Sequence, residues 1–63
     1  MSKVYVKVMG RASVQEVPTG TVGTARLKAR VPAIYLARVN GEDQENKFEL
    51  EDGDFITFRE PLK

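Results

Sequence analysis

The side chains that could do chemistry in this 63-residue chain are carboxylates, lysines and arginines, because histidine and cysteine are both absent. Histidine is the usual general base near neutral pH and the commonest metal ligand. Cysteine supplies disulfides and thiolate metal ligands. Without either, no nucleophile, base and orienting group can be assembled, short of unusual carboxylate or lysine chemistry. We therefore expect no catalytic residues, no enzyme activity and no bound cofactor.

Most of the acidic residues fall in one segment, since seven of the nine lie between positions 42 and 54. Glu42, Asp43 and Glu45 carry the oxygen ligands that calcium and magnesium prefer, but they lack the spacing and the glycine of an EF-hand loop. Asp52-Gly53-Asp54 is typical of a tight turn, because Asp and Gly tolerate left-handed backbone. We interpret the segment as turns made soluble by charge, and we expect no metal site.

Three basic residues, Arg26, Lys28 and Arg30, lie close together in the middle of the chain. On a helix, Arg26 and Arg30 would share one face at a spacing of four, while Lys28 would point elsewhere. Such a face is a possible nucleic-acid contact, although three cations would bind weakly and in a salt-sensitive way. The acidic segment would also repel a phosphate backbone. A solvated helix face is therefore the favoured interpretation.

The first part of the chain predicts two strands that form a hairpin. Lys3 to Met9 alternates valines with Tyr5 and Lys7, which is the period-two pattern of a half-buried strand. Gly10-Arg11 interrupts the pattern as a turn would. Ala12 to Val17 reads as a second, weaker strand.

The segment from Thr21 to Val31 fits either a helix or a strand. Thr21 is a good helix N-cap, and Val22, Ala25 and Ala29 fall on one helical stripe. From Ala25 onward, however, apolar and basic residues also alternate as in a strand. The helix-forming residues of this segment favour the helix slightly, and Pro32 ends the element in either case.

Three further strands and two turns follow. Ile34 to Val39 predicts a third strand, and Asn40-Gly41 is the strongest hairpin-turn signal in the chain. Lys47 to Leu50 is a short alternating piece that we predict as the fourth strand. Glu51 to Asp54 predicts a tight turn, and Phe55 to Phe58 a final strand rich in β-forming residues. The predicted order is strand, strand, helix, strand, short strand, strand.

The two turns and their flanking residues resemble a known family. Val39-Asn40-Gly41-Glu42, followed by L-E-D-G-D-F-I-T-F from Leu50, resembles the second half of the ThiS/MoaD-like sulfur carriers and TGS domains. Val17 to Val22 resembles the point where their second strand passes into the helix. The resemblance covers residues 12 to 62. It implies an α+β fold of the ubiquitin-like β-grasp type, with a mixed four- to five-stranded sheet and one helix packed on one face, as a single domain over residues 1–63. It also assigns the ambiguous segment to a helix.

The C-terminus departs from the sulfur carriers. They end in Gly-Gly, a slim tail that is adenylated and converted to a thiocarboxylate. This sequence ends Phe58-Arg59-Glu60-Pro61-Leu62-Lys63, in which Pro61 stiffens the tail and the last two side chains are bulky. The tail therefore cannot be carried over as a reactive site. Either the chain has lost that chemistry or the sequence is incomplete.

The β-grasp order places the first, third and last strands side by side, and alternation then sorts their side chains onto two faces. The face expected to pack on the helix carries Val4, Val6, Val8, Ala37, Val39, Ile56 and Phe58. The face expected to meet water carries Tyr5, Lys7, Leu36, Arg38, Phe55, Thr57 and Arg59. Aromatic and arginine residues are enriched at binding hot spots, which makes the second face a candidate partner-binding surface. The alternative is that its apolar members are only cross-strand pairs that stabilise the sheet.

The favoured hypothesis is a non-catalytic protein-interaction module whose partner is another protein. A sulfur carrier or modifier without its tail, and a small RNA-binding TGS-like module, are the alternatives. The chain could act as a monomer or as a homodimer. No stretch approaches the ~20 apolar residues of a membrane span, and the N-terminal residues lack the apolar run of a signal peptide. We therefore expect no membrane partner and a cytoplasmic location.

Overall fold

A computed structural model describes residues 2–61, which form five strands and one helix. In chain order the elements are β1 (Lys3–Val8), β2 (Gln15–Pro18), α1 (Val22–Lys28), β3 (Leu36–Val39), β4 (Glu42–Gln44) and β5 (Phe55–Arg59). Over these residues, no helix is long and apolar enough to cross a membrane.

The strands form one mixed sheet in the order β2-β1-β5-β3-β4. The central pair, β1 and β5, is parallel, and every other neighbouring pair is antiparallel. The first, last and third strands are therefore adjacent, as the predicted order requires. A parallel pair needs a long crossover. Here the crossover from β1 to β5 is most of the chain, including the helix. The fold class is α+β, as predicted.

The core lies between one sheet face and the helix. All seven side chains predicted to point inward from β1, β3 and β5 are buried, and Val6, Ile56 and Phe58 are fully inaccessible to solvent. The helix contributes Val22 and Ala25, both fully buried. The predicted separation of dry and wet faces is therefore observed, because side chains of a strand alternate between the two sides of its sheet.

The helix begins where the sequence predicts and ends earlier. Thr21 is the N-cap, and its hydroxyl accepts a hydrogen bond of 3.2 Å from the backbone N–H of Thr24. We predicted helix as far as Val31, but α1 stops at Lys28 because Arg30 adopts a left-handed conformation with φ of 57°. Backbone bonds from Arg30 N to Leu27 O and from Val31 N to Arg26 O then close the helix in a Schellman motif.

Arg11 supports this helix end from the β1–β2 connection. Its guanidinium donates to the carbonyl oxygens of Ala29 at 2.6 Å and Arg30 at 3.0 Å. A cation is favourable there, because the last carbonyls of a helix carry partial negative charge. The short connection between the first two strands therefore also fixes where the helix ends.

The fourth strand was predicted at Lys47–Leu50, but the structure has it at β4, directly after the Asn40-Gly41 turn. The two-residue turn at Asn40 and Gly41, with φ of 50° and 92°, returns the chain at once to pair with β3. The prediction at Lys47–Leu50 was wrong because an exposed edge strand of charged residues needs no apolar alternation. Residues 47–50 instead hold the start of the helix, through bonds such as Val22 N to Phe48 O and Leu50 N to Gly20 O.

The second and third strands are shorter than predicted. We expected them to begin at Ala12 and Ile34, but β2 begins at Gln15 and β3 at Leu36. Ile34 lies within a turn in which Tyr35 N donates to Pro32 O at 3.1 Å. Its apolar side chain is 69% exposed, so hydrophobicity at this position does not report a buried strand.

Arg26 is a buried part of the fold, with only 9% of its surface exposed. Its guanidinium donates to the carbonyl oxygens of Pro32 at 3.0 Å and Tyr35 at 2.7 Å, and its Nε donates to Asn46 Oδ1 at 3.1 Å. Its Cζ also lies 5.1 Å from the ring centroid of Phe58. One side chain therefore ties the helix to two loops and to the core.

Removing the Arg26 guanidinium should destabilise the protein even when the apolar stem is kept. Arg26→Met leaves the carbonyl oxygen of Tyr35 and the side-chain oxygen of Asn46, both part-buried, without the donor they have here. We expect it to lower the free energy of unfolding by about 1–3 kcal/mol. Lys28→Met is the matched control on an exposed position of the same helix and should change little. Urea denaturation followed by circular dichroism measures both. Equal stability of Arg26→Met and the unsubstituted chain would contradict this role for Arg26.

The left-handed backbone at Arg30 predicts a stabilising substitution. Arg30→Gly removes the steric cost of a Cβ at positive φ, and we expect it to raise the free energy of unfolding by about 0.5–1 kcal/mol. Lys28→Gly, inside the helix, should instead lower it by about 1 kcal/mol. If both glycine variants lose stability in the same urea titration, the proposed helix end is incorrect.

Candidate functional site

The candidate site is the sheet face that points away from the helix. We call it the outer face and define it by the seven residues predicted from alternation: Tyr5, Lys7, Leu36, Arg38, Phe55, Thr57 and Arg59. Strand register brings all seven together on three adjacent strands. Tyr5 lies opposite Phe55, Thr57 lies between Lys7 and Arg38, and Arg59 lies opposite Leu36.

Apolar side chains at both ends of the outer face remain open to solvent. Phe55 is 41% exposed and Leu36 is 43% exposed. The other five members are half-buried by their neighbours. Met9, 58% exposed, follows the inward-pointing Val8, and its N–H continues the ladder to Phe58 O at 2.8 Å. Alternation places Met9 on the same side of the sheet, next to Arg59.

Asn40 holds the end of the outer face that carries the aromatic pair. Its side-chain oxygen accepts from Phe55 N at 3.0 Å, and its amide nitrogen donates to Asp54 Oδ1 at 3.0 Å. The backbone adds Asn40 N to Phe55 O and Tyr5 N to Asp54 O. Sequence reasoning assigned Asn40 to the hairpin turn and missed this second role, for which the Asn-Gly pair carries no signal.

Two ion pairs border the outer face. Lys3 Nζ lies 3.0 Å from Glu16 Oε1 and 5.9 Å from the centroid of the Tyr5 ring. The hydrogen bond and the charge of Glu16 raise the pKa of Lys3 above its usual value. On the other side, Arg38 Nε lies 3.2 Å from Asp43 Oδ1. Lys3, Glu16 and Asp43 extend the surface beyond the residues predicted from sequence.

The remaining two cations of the outer face have no carboxylate partner within residues 2–61. Lys7 Nζ donates to the backbone carbonyl oxygen of Arg11, a neutral acceptor. Arg59 Nε is buried, and no atom of the described chain accepts a hydrogen bond from it. These two side chains lie at the end of β1 and β5 that is remote from the Glu51–Asp54 turn.

A shallow groove opens beside the outer face, between the start of β3 and the end of β4. Its walls come from Leu36, Ala37, Asp43, Gln44 and Glu45. It is broad and open, unlike the enclosed pockets that bury most of a small ligand. In the part of the chain that the structure describes, no three carboxylates gather as they would around a metal ion.

The predicted nucleic-acid pair, Arg26 and Arg30, does not form a shared helix face. Arg26 is buried and its guanidinium is bonded to loop carbonyl groups. Arg30 lies beyond the end of the helix, so the spacing of four no longer places the two side chains one above the other. The burial of Arg26 and the early helix end both correct the prediction, and of this pair only Arg30 is exposed.

The predicted departure of the tail from the sulfur carriers falls partly on Leu62 and Lys63, which lie outside the described residues. Comparison with known proteins adds no identity: no family model matches the chain. No curated protein matches it either.

Proposed function

We propose that this domain is a non-catalytic protein-interaction module that binds a partner protein through the outer face. The observation that carries the proposal is the apolar exposure at Phe55 and Leu36, which are 41% and 43% exposed. They lie on adjacent strands, at opposite ends of the outer face. A sheet face turned to water can be wholly polar. This face instead combines aromatic, aliphatic and cationic side chains, which is the composition of binding hot spots.

The rigidity of the surface supports the same proposal. The backbone of Tyr5 and Phe55 is fixed by ladder bonds and by the Asn40 side chain. Binding at a rigid surface costs less conformational entropy than binding at a loop that must first become ordered. A standard interface covers roughly 800 Å² per partner. That is about a fifth of the 4452 Å² accessible surface of the domain.

We further propose that the domain is a ubiquitin-like β-grasp, related to the ThiS/MoaD-like and TGS families. Support comes from the strand order, the central parallel pair and the single helix, together with the turn motifs at residues 39–42 and 50–58. The basic residues around the helix do not support RNA binding, since Arg26 is buried.

Truncating the aromatic pair should abolish partner capture and leave the fold intact. Cross-strand pairs contribute roughly 0.2–1 kcal/mol each, so a Tyr5→Ala, Phe55→Ala double variant should still fold. We expect it to lose the proteins that the unsubstituted domain retrieves from a cell lysate, as measured by quantitative mass spectrometry.

Leu27→Ala is the matched control, because Leu27 is apolar, 80% exposed and located on the helix. This control should retrieve the same proteins as the unsubstituted domain. Circular dichroism confirms that each variant is folded. Unchanged capture by the double variant would reject the outer face as the binding surface.

A further inference from the structure

We infer that the partner of the outer face is an acidic protein segment that also carries apolar side chains, and this inference rests on the proposed function. The observation behind it is the imbalance of charge on the surface. Four cations belong to the outer face and its border, namely Lys3, Lys7, Arg38 and Arg59. Only two carboxylates, Glu16 and Asp43, lie close enough to form ion pairs with them among residues 2–61.

The two cations without a carboxylate partner within residues 2–61 are Lys7 and Arg59. Lys7 is half-buried and bonded only to a neutral carbonyl group. Arg59 is also half-buried, and its covered Nε lacks an acceptor in the described chain. A partly desolvated cation gains more from a carboxylate than a fully hydrated one, because the local dielectric constant is lower. Arginine also offers a planar fork that matches the two oxygens of a carboxylate.

The positions of Lys7 and Arg59 predict how the bound partner is oriented on the outer face. Lys7 and Arg59 lie toward the C-terminal ends of the parallel strands β1 and β5, whereas Tyr5 and Phe55 lie at the other end. Beyond the aromatic pair is the turn that carries Glu51, Asp52 and Asp54. An acidic group placed there would be repelled. The partner should therefore set its apolar side chains over the aromatic pair and its carboxylates over Lys7 and Arg59.

A protein segment fits this surface better than a nucleic acid does. Within residues 2–61, only two cations of the outer face are free of carboxylate partners. A phosphate backbone needs several for useful affinity. The exposed Leu36 side chain adjoins Arg59 and offers an aliphatic contact suited to apolar side chains.

The test is to pan a random peptide library displayed on phage against the immobilised domain. We expect the recovered peptides to be enriched in Asp and Glu together with Leu, Ile or Phe. The affinity of the leading peptide is then measured by fluorescence anisotropy. A Lys7→Gln, Arg59→Gln double variant should bind it about tenfold more weakly, since two charge contacts are lost. Lys28→Gln, which removes an exposed cation from the helix, should bind it as the unsubstituted domain does.

Salt provides an independent measure of the same contacts. Raising sodium chloride from about 50 mM to about 500 mM screens exposed charges, so it should weaken peptide binding by the unsubstituted domain. The double variant should show a much smaller salt response. Circular dichroism of both proteins shows that the comparison is made between folded molecules.

Each other outcome overturns a specific claim. Recovery of basic or uncharged peptides, or of none, overturns the acidic partner. If the recovered basic or uncharged peptides lose affinity for the Tyr5→Ala, Phe55→Ala variant, the proposed function survives and only the acidic partner is rejected. If the recovered peptides are acidic but bind that variant unchanged, the proposed function fails. If analytical ultracentrifugation shows that the unsubstituted domain is a dimer and the aromatic variant a monomer, the outer face binds a second copy of this chain and the acidic partner is rejected. Tighter binding of oligouridylate than of any peptide would make it a nucleic acid.

Discussion

The structure depends on the parallel pairing of the first and last strands. Tyr5 pairs with Phe55, and the register continues without interruption to Val8 and Phe58. Because side chains alternate, a slip of one residue would turn the whole buried set toward water. The cost would be large, since Val6 and Ile56 are completely buried in the observed register. The ends of the chain are therefore joined at the centre of the sheet, and every other element packs around that pair.

The same register produces the outer face. Burying one set of side chains fixes the opposite set on a rigid surface, at spacings that the chain cannot adjust. Two devices keep the ends of this surface in place. Asn40 joins the β3–β4 turn to Asp54 and Phe55, and Arg11 closes the helix beneath the opposite end of the sheet. Phe55 and Leu36 keep 41% and 43% of their surface exposed, and only this exposed apolar area gains nothing from folding.

Local patterns predicted the features that depend on local physics. The valines of β1 were correctly assigned to the buried face, because side chains alternate in any strand. Thr21 was correctly predicted as the helix N-cap, because capping depends on its own hydroxyl. Features that depend on distant atoms were missed. Arg26 reads as a surface cation, and its burial depends on loop carbonyl groups that are brought together only in the folded chain. Arg30 gave no sign of a helix end, because glycine and not arginine is the usual residue there.

The central claim is that the sheet has one dry and one wet side, and solvent paramagnetic relaxation measures this directly. A soluble gadolinium chelate added to the isotope-labelled protein broadens resonances in proportion to their exposure. The account predicts strong broadening of side-chain signals from Phe55 and Leu36 and little effect on those of Val6 and Ile56. Broadening of Val6 and Ile56 with protection of Phe55 would contradict it, because the surface assigned to partner binding would then be the core.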